Sequence, residues 1–254
     1  MRNVLIAALV FVFSSGFFGE ASAQVPVGYE AIYNEPTTVN LGGRPVVAHI
    51  ALYTDMEAAE RGDLRLALVT DVTDFIEETA HDLEIWVAAR QNRCGERWGA
   101  GKPRITFPPG AIHFALDLEL ELWNCGWNGK GEPGRIAREA GSVDVTLEPY
   151  IEDGKLQSRL NDFTVYDRSG LSKYLPLEFV ARRAVDAELK KLNKNPKFYR
   201  APKPLYGEGF QYESIGAKKD ANGRVIITAI YTATGSVEAL DRIVQRMREE
   251  GITQ

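Results

Sequence analysis

One segment limits the folds open to this chain more than any other. From Ile112 to Trp123, the residues Ile112, Phe114, Leu116, Leu118, Leu120 and Leu122 alternate without a break with His113, Ala115, Asp117, Glu119, Glu121 and Trp123. A period of two places the first set on one side of an extended ribbon and the second on the other. A helix would scatter the leucines around its whole circumference. The segment is therefore read as an antiparallel strand with one dry and one wet face. At about 3.3 Å per residue it spans about 40 Å, longer than most strands. Its dry face must meet something apolar: a helix, a second sheet or a ligand.

Other stretches share the same period. Leu64 to Thr70 and Ser142 to Pro149 alternate, and Asp153-Gly154 is a hairpin signal that returns the chain as Leu156 to Tyr166. Val46 to Thr54, Phe210 to Ile215 and Arg224 to Thr232 also read as strands, with a short one at Arg104 to Phe107. Leu83 to Ala89 alternates and is read as a strand. Gln24 to Gly43, broken by Pro26, Gly28 and Pro36, reads as an irregular lead-in. Asp71 to Ala80 fits either a short helix capped by Asp71 or a continued strand.

After Gly170 the period changes. Leu177, Val180, Ala181, Ala184, Val185, Leu189 and Leu192 recur at helical spacing behind Pro176, predicting an amphipathic helix of about five turns. A second stripe, Val237, Leu240, Ile243, Val244 and Met247, predicts a C-terminal helix capped by Ser236 and stopped by Gly251. The expected class is α+β: a long curved antiparallel sheet packed on one long amphipathic helix, plus the C-terminal helix.

The first residues predict where the protein works. Arg2 precedes an apolar run from Val4 to Phe18, and Gly19 to Ala23 ends in Ala-Ser-Ala, the pattern of a signal peptide cleaved after Ala23. The run is short for a bilayer span of about 20 residues. Residues 24–254 are read as a single exported domain, soluble and either periplasmic or secreted. In an exported chain the two cysteines, Cys94 and Cys125, read as a disulfide. A metal site combining both thiolates with His113 lacks any supporting C-x-x-C or H-x-x-x-H spacing. The net charge of −5 argues against nucleic acid as a partner.

Nothing in the sequence marks a catalytic or cofactor motif: no G-x-S-x-G, H-E-x-x-H, phosphate-binding or dinucleotide-binding loop occurs. Asp117, Glu119 and Glu121 form a carboxylate row, which reads as a solvated sheet face, as a cation site or as an acid/base pair with one raised pKa. Trp98, Trp123 and Trp127 flank the cysteines and read either as packing around the disulfide or as a platform for sugar rings or a membrane interface. Lys190, Lys191, Lys194, Lys197, Arg200 and Lys203 follow the long helix; they complement its C-terminal dipole or meet anionic headgroups at a membrane surface.

The order of elements, carried by IHFALDLELEL, then PLEFVARRAVDAELKKL, then DANGRVIITAIY, resembles the tubular lipid-binding (TULIP) superfamily over Ile112 to Thr234. The resemblance implies a curved sheet wrapped around a long helix, with acyl chains held between them and no catalytic residues. The chain is short for the two-lobed members and matches one lobe. The expected function is non-enzymatic binding of a lipid or other apolar small molecule, lined by Phe114, Leu116, Leu118 and Leu120 from the strand and Val180, Ala184 and Leu189 from the helix. The alternatives are an envelope structural or carbohydrate-binding module acting through the tryptophans, and a hydrolase using the carboxylate row.

Overall fold

The computed structural model describes residues 24–41, 44–108, 110–126, 130–170 and 177–251. The signal-peptide expectation for residues 1–23 and the expectation for Trp127 lie outside them. The first half of the chain forms β1 (Glu30–Leu41), β2 (Arg44–Thr54), α1 (Met56–Glu60), β3 (Asp63–Asp71) and α2 (Thr73–Ala88). Then come β4 (Gly95–Ala100), β5 (Arg104–Thr106), β6 (Ile112–Asn124), β7 (Gly134–Glu152) and β8 (Lys155–Tyr166). The rest comprises α3 (Leu177–Leu192), α4 (Pro196–Tyr199), α5 (Lys203–Tyr206), β9 (Gln211–Lys219), β10 (Val225–Thr234) and α6 (Glu238–Glu250).

The strands form two five-stranded antiparallel sheets. One has the order β1-β2-β3-β10-β9; the other has β4-β6-β7-β8, with β5 also paired to β6. This corrects the expectation of one long curved sheet on one long helix. The fold is mostly β, and the amphipathic segment α3 has 16 residues, about 24 Å at 1.5 Å per residue. It is too short to follow a strand of about 40 Å and packs against β8. The two sheets arise because β9 and β10 return to pair with β3 rather than extending the meander of β6, β7 and β8. Among the described residues no helix is long and apolar enough to cross a membrane.

One continuous core joins both sheets. Leu52, Leu66, Leu68 and Tyr231 from the first meet Phe114, Leu116, Val145, Leu147 and Phe163 from the second, with Val185 and Leu189 of α3 and Leu240, Ile243 and Met247 of α6. The described stripe residues of α3, Val185, Leu189 and Leu192, and the stripe of α6 face this core as the periodicity predicts. At the end of α3, Asn193 acts as a surrogate strand residue: its amide accepts from the Ser158 N–H at 2.9 Å and donates to the Ser158 carbonyl at 2.8 Å. This occupies part of the free edge of β8. Gly251 ends α6 as expected, with φ of 69°. A Cβ there would stand 2.5 Å from the Thr38 carbonyl oxygen, so the stop requires glycine.

Two local expectations are corrected. The lead-in contains β1, a 12-residue strand that tolerates Pro36 because it lies at a sheet edge and pairs only with β2. Leu83 to Ala89 is not a strand, since α2 continues through Ala88. Ile76 and Leu83, seven residues apart, pack against the core, and Ile85 is left exposed. Helical burial overrides a period of two that lasts only a few residues.

The Cys94–Cys125 disulfide forms as expected, with a Cα–Cα distance of 5.6 Å. It joins the residue before β4 to the residue after β6, where Gly95 pairs with Trp123. Replacing both cysteines with serine is expected to lower unfolding free energy by about 3–4 kcal/mol, the loop-closure contribution of a loop this long. Urea denaturation of the double variant checks this; an unchanged midpoint would contradict it.

Candidate functional site

The candidate site is the two faces of β6, whose geometry differs from end to end. On the dry face Ile112, Phe114 and Leu116 are 3, 5 and 2% exposed, whereas Leu118 and Leu120 are half-buried and Leu122 is 37% exposed. Burial ends before the strand does. Beyond Leu116, β6 remains paired with β4 on one side and β7 on the other, as far as Asn124 opposite Gly134. Leu120 stands opposite Trp98 of β4, which is buried outside the main core. The Trp98 indole donates to Glu96 at 3.0 Å, and its carbonyl accepts from the Gln91 side chain.

Of the seven residues expected to line a groove, Phe114, Leu116 and Leu189 belong to the core, and Leu118 packs against it from a half-buried position. Leu120 lies farther along, away from that core. Val180 and Ala184 are in α3, but their side chains lie outside the described residues.

The wet face is an ion-pair ladder. Arg104 reaches Asp117 at 3.1 Å, Arg138 forks onto Glu119 at 2.7 and 2.9 Å, and Arg135 reaches Glu121 at 2.7 Å. Ser142 also donates to Asp117 at 2.6 Å. These partners hold all three carboxyls below their ordinary range. The hydrogen bond from Arg104 is the main cause for Asp117, that from Arg138 for Glu119, and that from Arg135 for Glu121, where the Trp123 indole adds a second. Glycosidase-type acid/base work needs one carboxyl protonated near neutral pH. All three are lowered, so the row offers no support for that reading.

The sequence reading missed the arginines because it started this strand at Ser142, whereas β7 begins at Gly134. Arg135 and Arg138 sit in a stretch without apolar alternation. Their sign, opposite to that of Glu119 and Glu121, was the available signal.

The remaining candidates separate in space. Trp98 is buried, and the Trp123 ring carries the Arg97 guanidinium 3.9 Å from its centre while its indole donates to Glu121. Trp98 thus offers no exposed ring, and one face of Trp123 is taken by Arg97. His113, also on the wet face, places Nε2 3.0 Å from Asp144 and Nδ1 3.4 Å from the Thr106 hydroxyl. Both cysteines are in the disulfide, which removes the thiolate–His113 metal reading. Among the described residues no group of His, Cys, Asp and Glu is placed to hold a metal. In the basic stretch, Lys191 pairs with Glu188 and Lys203 with Glu250, while the Lys197 side chain lies outside the described residues.

The lowered carboxyls give the ladder a pH signature. Its contribution to stability is complete above the ordinary values, 3.8 for Asp117 and 4.5 for Glu119 and Glu121, and is lost as pH falls toward the lower folded values. Wild-type protein should therefore lose stability between about pH 5 and pH 3, and Arg138→Gln should show a shallower loss over that window. Denaturant midpoints across the range measure it. Equal slopes for the two proteins would remove the ladder from the account.

No protein-family model matches the chain, and no curated protein matches it. Among solved structures it is similar to a crystal structure of lipopolysaccharide binding protein, at 11% identity and a TM-score of 0.36. The match covers 70% of this chain and 43% of that one, so the chain spans less than half of that protein's length. A likeness this distant bears on neither site nor ligand.

Proposed function

We propose that this is an exported, non-enzymatic protein that binds a lipid chain or another apolar ligand against the dry face of the second sheet. The observation that carries the reading is the exposure along β6, which rises from 2% at Leu116 to 37% at Leu122 on a single unbroken apolar face. A leucine row that the core leaves half covered gains stability from any apolar cover, at about 25 cal/mol per Å². In this reading Leu118, Leu120 and Leu122 contact the ligand, with Phe114, Leu116 and Leu189 behind them in the core. The disulfide supports the compartment, since such bonds persist outside the cytosol.

Mass spectrometry of protein purified without detergent tests for a bound lipid, and titration with cis-parinaric acid measures affinity. Leu120→Ser is expected to weaken binding of the probe about tenfold, equivalent to roughly half the transfer energy of a fully buried leucine. The thermal midpoint should move by only a few degrees. A wild-type protein that neither carries lipid nor takes up the probe would end the proposal.

A further inference from the structure

A second surface, distinct from the β6 face, gathers cations that have no carboxylate partner among the described residues around the exposed Tyr206. Arg200 lies between α4 and α5, its guanidinium 4.6 Å from the Tyr206 ring centre and 5.6 Å from that of Tyr199. Lys155, at the start of β8, approaches the Tyr199 ring at 5.6 Å. The bonds of Asn193 to Ser158 bring the end of α3, with exposed Lys190 and Lys194, to the same strand. Tyr206 is 47% exposed.

The platform under these groups is rigid. Ala201 and Leu205 are buried in the core, and the Tyr206 N–H bonds the Pro202 carbonyl at 2.9 Å.

The nearby acids divide into used and free. Glu188 is held by Lys191, Glu250 by Lys203, and Glu208 by both Arg242 and Arg246. Among the described residues, Asp186, one helical turn before Lys190, and the β7–β8 turn, with exposed Glu152 and Asp153 next to Lys155, add acid outside these pairs. Lys155, Lys190, Lys194 and Arg200 thus keep their charge unpaired among the described residues, on a chain whose net charge is −5. Complementing the C-terminal dipole of α3 accounts for Lys190 and Lys194. It does not account for Lys155 or for Arg200, which lies over the exposed Tyr206 ring.

We infer that this corner is a docking surface for an anionic phospholipid bilayer, with Lys155, Lys190, Lys194 and Arg200 at the headgroups and Tyr206 at the interface. Phosphates complement cations that have no carboxylate partner, and tyrosine is at home where apolar and wet layers meet. A soluble anion would use the charges but gain nothing from the exposed ring. The inference is independent of the apolar-ligand reading, because the residues do not overlap.

Sedimentation of the full chain with vesicles of phosphatidylcholine, with and without phosphatidylglycerol, provides the test. Partition is expected to be at least about tenfold stronger with phosphatidylglycerol at low salt and to fall as salt screens the cations. Lys194→Glu/Arg200→Glu should abolish the preference. The milder Lys190→Gln/Lys194→Gln, which changes only exposed side chains, should weaken it. Tyr206→Ser should reduce partition at every salt concentration. Lys219→Glu, the same charge change at the far end of β9, should leave partition as in wild type. Equal binding to both vesicles, or inhibition by soluble glycerol phosphate at concentrations that do not screen charge, would overturn the assignment. Uptake of cis-parinaric acid by the charge variants should be unchanged, so the two proposals can fail separately.

Discussion

The structure turns on a mismatch between two lengths: the ladder that pairs β6 with its neighbours, and the core beneath it. Ladder hydrogen bonds are made by the backbone of the partner strand and do not depend on burial of the side chains, so pairing can outlast the core. Pairing of β6 with β7 runs from Ile112 to Asn124, while full burial of the dry face ends at Leu116. The distal half must be held by other means, and three are present. The ladder itself continues, arginines of β5 and β7 clasp the carboxylates of the wet face, and the Cys94–Cys125 bond closes the far end. Their weights differ. Exposed ion pairs contribute about 0–1 kcal/mol each, whereas a disulfide closing a loop of this length contributes several. The covalent clip is the strongest of the three, and it sits where burial has least to offer.

The same mismatch explains which parts of the fold the sequence disclosed. β3, β6, β8, α3 and α6 lie where their patterns predict, and the alternation of β6 stays clean through Leu118, Leu120 and Leu122, where burial is partial. The pattern of its partner strand does not. The first residues of β7, Gly134 to Gly141, pair with the distal half of β6, carry few apolar side chains and were not recognised as strand. The edge strand β1 was hidden by Pro36, which is harmless on a strand with a single neighbour. The division into two sheets was out of reach, because the choice of β3 by β10 is a long-range pairing that local alternation does not encode. The same holds for Arg135 and Arg138, which meet carboxylates 14 and 19 residues away. The alternation of β6 was enough to identify its dry and wet faces, but not where along the dry face the core would give out.

The buried end of β6 joins the core shared by the two sheets, and the half-covered end is where the proposed apolar ligand would replace water. The wet face, neutralised pair by pair, is suited to solubility rather than to proton transfer. The cationic corner at α4 and α5 stands on another part of the surface and rests on buried Ala201 and Leu205.

The decisive measurement is amide hydrogen exchange along β6, with and without cis-parinaric acid. If the strand outlasts its core, amides from Ile112 to Leu116 will exchange only on global unfolding, while those from Leu120 to Asn124 will exchange faster through local opening and slow when the probe binds. Uniform protection along the whole strand, indifferent to the probe, would contradict the account.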